Sequence, residues 1–126
     1  MAVKLKKIAR QNPQNREETR YYLVQENAGM IDLKDLAAAI EKQTAMTRAD
    51  VTAVLVSLAD VLPGYLKEGK SVRFGDLGSF RISVSSEGMA SEAALSARHV
   101  KGAKIVFTPA VELKASIAKL SYSIAT

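Results

Sequence analysis

The sequence contains no cysteine and no tryptophan, only three prolines, and a single histidine, His99. Without cysteine the chain forms neither disulfide bonds nor thiolate metal sites, which suits a reducing compartment. A single histidine, with no cysteine, leaves too few of the usual zinc ligands for a zinc site to be expected. No apolar run is expected to approach the roughly 20 residues of a membrane span, and the first residues lack the apolar core of a signal peptide. These absences predict a cytoplasmic protein without a cofactor or a membrane partner.

Basic residues outnumber acidic ones, 18 lysines and arginines against 13 aspartates and glutamates, and the formal net charge is +5. The excess lies in residues 1–20, with six bases against two acids, and in residues 70–104, with six against three. Residues 31–69 hold four bases and six acids. A polyanion would meet the two basic segments, although charge alone is explained equally well by a solvated basic surface.

Residues 69–84 have the pattern of two strands with one buried face. Five apolar residues alternate with three polar ones, namely Val72, Phe74, Phe80, Ile82 and Val84 with Arg73, Arg81 and Ser83. This period of two is typical of half-buried strands, and it places Arg73 and Arg81 on the face opposite Phe74 and Phe80. The glycines of Gly75–Gly78 can take positive φ, which predicts a tight reversal between the two strands.

The preceding residues predict two antiparallel helices. A capping pattern at Asp32 begins the first helix, which is expected to run to about Gln43. Thr47 caps the second helix, whose apolar residues recur at spacings of three and four: Val51, Val54, Leu55, Leu58, Val61 and Leu62. Pro63-Gly64 is expected to kink or end this helix, although Tyr65 and Leu66 could continue its apolar face for a turn, and Glu68-Gly69 supplies the stop.

The N-terminal residues 3–25 alternate apolar and polar positions around a turn at Asn12–Asn15, which predicts a β-hairpin or two edge strands. We expect this segment to pair with the sheet and not to form a free basic tail. Its lysines have an alternative role, because lysines on an exposed strand discourage edge-to-edge aggregation.

The C-terminal third begins with residues 85–102, which are small and polar and predict a flexible excursion between two strands. Residues 104–107 are predicted to form the second of these strands. Thr108-Pro109 fits the start of a helix, with the proline in its first turn. That helix should contain Val111 and extend to Leu120, so the whole chain, residues 1–126, is predicted to be one α+β domain.

Four segments carry a resemblance to a known family: Leu36–Ile40, Thr47–Leu62, Gly69–Phe80 and Phe107–Ile117. An αα-hairpin, a strand reversal with Gly-Asp-Leu-Gly-Ser-Phe, a long excursion and a strand–Thr-Pro-Ala–helix unit together resemble the HU and integration-host-factor family. The chain is most similar to the HU-related branch with an additional N-terminal strand segment. The resemblance covers about residues 31–120.

The resemblance implies an HU/IHF-like fold, in which an αα-hairpin packs on a small antiparallel β-sheet with a β-arm and a C-terminal helix, here preceded by an N-terminal β-hairpin. It divides the single domain into a strand extension, residues 1–30, and an HU-like core, residues 31–120. It also implies an obligate homodimer whose two arms clasp DNA in the minor groove. Residues 85–97 depart from the family, since they contain no base and no proline, so no arm residue is carried over.

The candidate DNA contacts are therefore chosen on charge. They are expected to bind phosphates with low sequence specificity and are Arg73, Arg81, Arg98, His99, Lys101, Lys104, Lys4, Lys6 and Lys7. His99 is expected on the surface.

Two classes of function remain after the motifs are weighed. Gly75–Gly78 is too short for a phosphate-binding loop and no lysine follows it, and a triad with His99 would lie in the excursion. The sequence thus predicts neither an enzyme nor a small-molecule substrate. The first class is a sequence-tolerant, nucleoid-associated (histone-like) architectural protein. The second is an HU-like scaffold for protein–protein assembly that has lost its DNA-binding arm.

Overall fold

The computed structural model describes residues 2–125. These residues form a mixed α+β structure with three α-helices and six strands, the strands lying in two three-stranded sheets. The chain divides into two compact units, one made of Met1–Asp32 with Ile117–Thr126 and the other of Leu33–Ser116. The predicted α+β class is confirmed, while a single domain stays a prediction.

In the unit Leu33–Ser116, helix α1 spans Leu33–Gln43 and helix α2 spans Arg48–Lys67. The Thr47 hydroxyl accepts a hydrogen bond from the backbone N–H of Asp50 at 3.1 Å, so the predicted cap of α2 is confirmed. The two helices pack against each other as an αα-hairpin.

Pro63 lies inside α2, and the helix continues past it to Lys67. An end of the helix at the proline is therefore excluded, and the alternative, continuation through Tyr65 and Leu66 to a stop at Glu68-Gly69, is confirmed. Proline removes one helical hydrogen bond, but Leu66 in the following turn is only 4% exposed, and its burial favours continuation of the helix. Glu68 is the C-cap of the helix, and Gly69 follows with φ +80°.

Helix α2 is also long and apolar enough, by length and composition, to cross a membrane. The expectation that no apolar run approaches this length is therefore wrong. A core helix of a soluble protein meets the same test, so length and composition alone do not assign α2 to a bilayer.

The sheet of this unit contains β3 (Val72–Arg73), β4 (Gly78–Ser86) and β5 (Val100–Pro109), in the order β3-β4-β5 with antiparallel pairing. The predicted reversal between β3 and β4 is confirmed, since Phe74 donates its N–H to the Gly78 carbonyl at 2.8 Å. Phe80 stands at the centre of the apolar face, with ring centroids 5.4 Å from Phe74 and 4.9 Å from Phe107.

The excursion between β4 and β5 is shorter than expected, because the strands extend into residues 85–86 and 100–102. It comprises residues 87–99 and contains two single turns of 3-10 helix, Glu92–Ala94 and Ala97–His99. Ladder hydrogen bonds need no apolar side chains, which explains how strands form in a serine-rich segment without an apolar pattern.

Helix α3 spans only Val111–Ser116. Pro109 is the last residue of β5, opposite Gly78, and not part of the first helical turn. At the end of a strand the missing N–H of proline costs little, and Ala110 instead donates its N–H to the Leu77 carbonyl at 3.0 Å. The extension of this helix to Leu120 is wrong.

The other unit contains β1 (Val3–Asn12), β2 (Asn15–Gln25) and β6 (Tyr122–Ile124) in the order β2-β1-β6. The predicted N-terminal hairpin is confirmed by antiparallel pairing of β1 with β2. Its expected pairing with the sheet of the αα-hairpin is wrong, because it forms a sheet of its own. There β6, which the sequence analysis missed, runs parallel to β1.

Candidate nucleic-acid interface

Three of the predicted contact residues lie on one face of the sheet β3-β4-β5. On β4, Arg81 lies between Ser79 and Ser83 in the alternation, so these three side chains point to one side. Arg73 of β3 is paired with Ser79, and Lys104 of β5 is paired with Ser83. Residues paired across antiparallel strands point to the same side, so these three cations share a surface that we call the basic face. The rings of Phe80 and Phe107 occupy the opposite face, as the alternation predicted for Phe80 and as the register shows for Phe107.

Within residues 2–125, the cations of the basic face are not held in ion pairs with carboxylates. The ion pairs of Arg20 with Glu18, Arg48 with Glu41 and Lys70 with Glu68 involve none of these cations. Arg73, Arg81 and Lys104 are exposed and have no ion pair within 4.0 Å in the described chain, and Glu112 lines the same small cavity as Arg73. Unpaired cations in solvent are suited to neutralise an anion, because little protein contact has to be broken first.

Hydroxyl groups accompany these cations. The register places three hydroxyl residues on the same face, and they are Ser79, Ser83 and Thr108. Such side chains donate hydrogen bonds to phosphate oxygens in many protein–DNA interfaces. They were not identified from the sequence, and their alternation with Phe80 and Phe107 was the signal that could have indicated them.

Lys101 lies at an irregularity of the β4–β5 ladder. Ser85 is opposite Gly102 and Ser86 is opposite Val100, so Lys101 is left without a partner, as in a β-bulge. A bulge locally changes the direction of side chains. Arg98, which is exposed, lies nearby in the 3-10 turn Ala97–His99, so these two cations lie at the tip end of the hairpin.

His99 is buried, with 9% of its surface exposed, so the expected surface position is wrong. Its Nδ1 accepts a hydrogen bond from the Ser96 N–H at 3.0 Å, and its carbonyl accepts one from the Glu87 N–H at 2.9 Å. These bonds close residues 96–99 into a turn and attach the turn to the strand end. His99 is therefore placed to hold Arg98 in position, and a direct contact with DNA stays a prediction.

The N-terminal lysines belong to the other unit and are not part of the basic face. Lys4 and Lys6 share one side of β1, and Lys7 lies on the other, as the register with β2 shows. Lys4 is opposite Ser123 of β6, so it does not lie on an open edge in this segment. The aggregation-preventing role is thus excluded for Lys4, whereas Lys6 and Lys7 lie beyond the part of β1 that β6 covers.

No cluster of three or more histidine, cysteine, aspartate or glutamate side chains in the described residues has the geometry to hold a metal ion. The chemistry that the basic face offers is electrostatic, with charge-assisted hydrogen bonds to an anionic backbone.

Two solved structures are similar to this chain in fold. One is a protein from Bacteroides vulgatus, provisionally described as a bacterial DNA-binding protein, with 16% identity, a TM-score of 0.62, and coverage of 97% of this chain and 48% of that chain. The other is an Anabaena HU–DNA cocrystal structure, with 16% identity, a TM-score of 0.53, and coverage of 70% of this chain and 98% of that chain. The chain thus spans about half the length of the Bacteroides protein. No curated protein matches it in sequence.

The sequence itself matches a family model over residues 1–123. The model is described as an HU domain fused to a wHTH, Ig or glycine-rich motif. Because this match extends over nearly the entire chain, the resemblance to HU drawn from the sequence is confirmed. The chain belongs to the HU-HIG family of HU-like domains.

Proposed function

We propose that the protein binds duplex DNA through phosphate contacts, with little sequence preference, as a nucleoid-associated architectural protein. The observation that carries this proposal is the basic face, on which three unpaired cations and three hydroxyl residues lie together. Phosphate contacts carry no base information, so binding is tolerant of sequence. Membership of an HU-like family and the fold shared with an HU–DNA cocrystal structure support the same conclusion.

We also propose that the protein forms a homodimer. Among the described residues the buried apolar side chains are only Ala37, Val51 and Leu66. A groove of about 420 Å³ between α2 and the sheet stays open to solvent, and it is lined by Leu33, Leu55, Leu58, Ala59, Leu62, Phe74, Leu77, Phe80 and Phe107. A soluble monomer rarely leaves so much contiguous apolar surface uncovered. A second copy of the same unit offers apolar surface of the same kind to cover it.

A salt-dependent binding titration tests the DNA proposal. Labelled duplexes of unrelated sequence should bind with similar affinity, and the logarithm of the affinity should fall linearly with the logarithm of the salt concentration. DNA bending should be weaker than in a protein with a proline wedge, since residues 85–97 contain no proline. Absence of duplex binding even at low salt would contradict the proposal.

A double variant tests the tip of the hairpin. If Arg98 and Lys101 each contact a phosphate, R98A/K101A should flatten the salt slope by about 1.8 units, from about 0.9 per phosphate. Affinity should decrease alike for all sequences. Unchanged affinity and slope would remove both residues from the site while leaving the basic face as the proposed contact.

A charged residue in the open groove tests the homodimer. Leu58 lines the groove and is 38% exposed in the single chain. L58E should shift the protein from dimer to monomer in sedimentation velocity, because burying an unpaired carboxylate at an interface is unfavourable. S57E, at the exposed neighbouring residue of α2, is the matched control and should remain dimeric. A stable wild-type monomer at micromolar concentration would contradict the proposal.

A scaffold for protein–protein assembly is the second candidate. It is favoured by the excursion, where residues 87–97 contain Glu87 and Glu92 and no base. Such a segment is repelled by DNA phosphates and would not follow a groove. A wild-type dimer that binds no duplex at low salt is the result expected from this function.

A further inference from the structure

A second basic surface lies on the sheet β2-β1-β6, within the unit that contains both chain ends. The register pairs Ile8 with Tyr22 and Arg10 with Arg20, so both arginines and the tyrosine lie on one side. Alternation along β1 adds Lys4 and Lys6 to this side. We call it the N-terminal basic surface.

The charged groups of this surface are arranged around an exposed ring. The Cζ atom of Arg10 lies 5.7 Å from the centroid of the Tyr22 ring, a cation–π contact that holds the guanidinium over the aromatic face. Tyr22 is 46% exposed. Arg10 forms no ion pair within residues 2–125, so its charge is available to an anion.

The carboxylates on this side are Glu18 and Glu26, as alternation along β2 and the N–H of Glu26 bonded to the Lys4 carbonyl indicate. Glu18 Oε1 accepts a hydrogen bond from Arg20 Nε at 2.7 Å and forms an ion pair with Arg20 Nη2, also at 2.7 Å. Arg20 has five N–H donors, so its Nη1 group is not used by this pair. The exposed pair is weak, and an incoming phosphate competes with it at little cost.

A concave site of about 330 Å³ lies at the distal end of this surface. Its lining consists of Arg10, Gln11, Asn12, Pro13, Arg20 and Tyr22. It therefore combines two guanidinium groups and an aromatic ring, while the Asn12 amide is already engaged, since its Nδ2 donates to Glu18 Oε2 at 3.3 Å and its Oδ1 accepts from the Gln14 N–H at 3.0 Å. A ring can stack on the face of a base, and guanidinium groups can bind the adjoining phosphate.

We propose that this site binds single-stranded nucleic acid, with one unpaired base against Tyr22 and the backbone running over Lys6 and Lys4. A base inside a duplex is stacked on both sides, and its faces are closed to such a cavity. Single strands carry unstacked bases, and proteins bind them by combining cationic tracks with aromatic platforms. Lys4 and Lys6 are about 7 Å apart along the strand, so successive cations extend the site along one direction.

The test uses the full chain and a labelled eight-residue oligothymidylate, measured by fluorescence anisotropy across a salt series. Y22A should weaken binding by about 5- to 150-fold, as expected for loss of one stacked base. Y22F should bind nearly as the wild type, because it retains the ring. R10A should lower the slope of log affinity against log salt by about 0.7 units.

K119A is the matched control, because Lys119 is an exposed cation of the same unit but lies outside its three strands. It should change the oligothymidylate affinity little. Binding of a blunt duplex should be insensitive to Y22A, so loss of single-strand binding is distinguishable from failure of the duplex proposal. The proposal is overturned if the wild type does not bind the oligothymidylate, or if K119A weakens binding as much as R10A. Equal losses for Y22F and Y22A would also overturn it.

Discussion

Replacing Arg73, Arg81 and Lys104 together with alanine is expected to lower the salt slope of duplex binding by about 2.7 units, from about 0.9 per neutralised phosphate. Between 50 and 200 mM salt, the loss of affinity should then be about 40-fold smaller than for the wild type. The reason is that these three cations share one face and none has an acidic partner in the described chain. Mobility-shift or anisotropy titrations at several salt concentrations measure the slope.

A triple variant of three lysines elsewhere in the same unit is the matched control, since it removes the same charge. It consists of K34A, K42A and K114A on helices α1 and α3. The control should keep most of the wild-type slope, because general electrostatic attraction changes equally in the two variants and only local phosphate contacts differ. If the two triple variants have the same slope, the basic face is not the duplex site.

Gly78→Ala is expected to lower the free energy of unfolding by about 2–5 kcal/mol, through backbone strain and overpacking together. Gly78 has φ +149°, a conformation that side chains with a Cβ rarely adopt. An added Cβ would collide with the Thr108 carbonyl oxygen and lie 2.9 Å from two ring atoms of Phe107. Because Phe107 packs on Phe80, the disturbance would reach the centre of the sheet. Denaturant unfolding at a fixed protein concentration measures the change.

Gly75→Ala provides the comparison within the same reversal. Gly75 also has positive φ, at +45°, but no atom lies within 4 Å of an added Cβ. It should cost only the backbone term, about 1–2 kcal/mol. Losses of equal size for the two variants would show that the contacts of an added Cβ at Gly78 cost nothing beyond the backbone strain, which would contradict the prediction.

The local elements of this protein are fixed by periodicity and by turn chemistry, both of which can be read in the sequence. The alternation around Phe80 predicted a strand and the side to which Arg81 points. Thr47 predicted the start of α2, and Gly78 predicted a reversal of the chain. These features depend on residues a few positions apart, so the sequence determines them without knowledge of distant contacts.

The composition of the site was predicted less completely than the elements that carry it. Arg73 and Arg81 were assigned to one face correctly, because a single alternating pattern contains both. Lys104 joins them only through the register of β4 with β5, and His99 is buried by bonds to Ser96 and Glu87 that no pattern indicates. Which residues become neighbours across two strands depends on the register of their pairing. The alternation within one strand does not determine that register.

What the sequence by itself determined is most of the helices and strands, the apolar side of the strands around Phe80, and the family to which the chain belongs. Only the tertiary structure decided that Lys101 lies at a bulge, which of the two alternatives at Pro63 holds, and that β6 exists and pairs with β1. The parallel pairing of β6 joins residues more than 100 positions apart, from Val3 to Tyr122. Such contacts depend on loop closure, burial and backbone hydrogen bonding across the whole fold, and a short segment of three residues contains no signal for them.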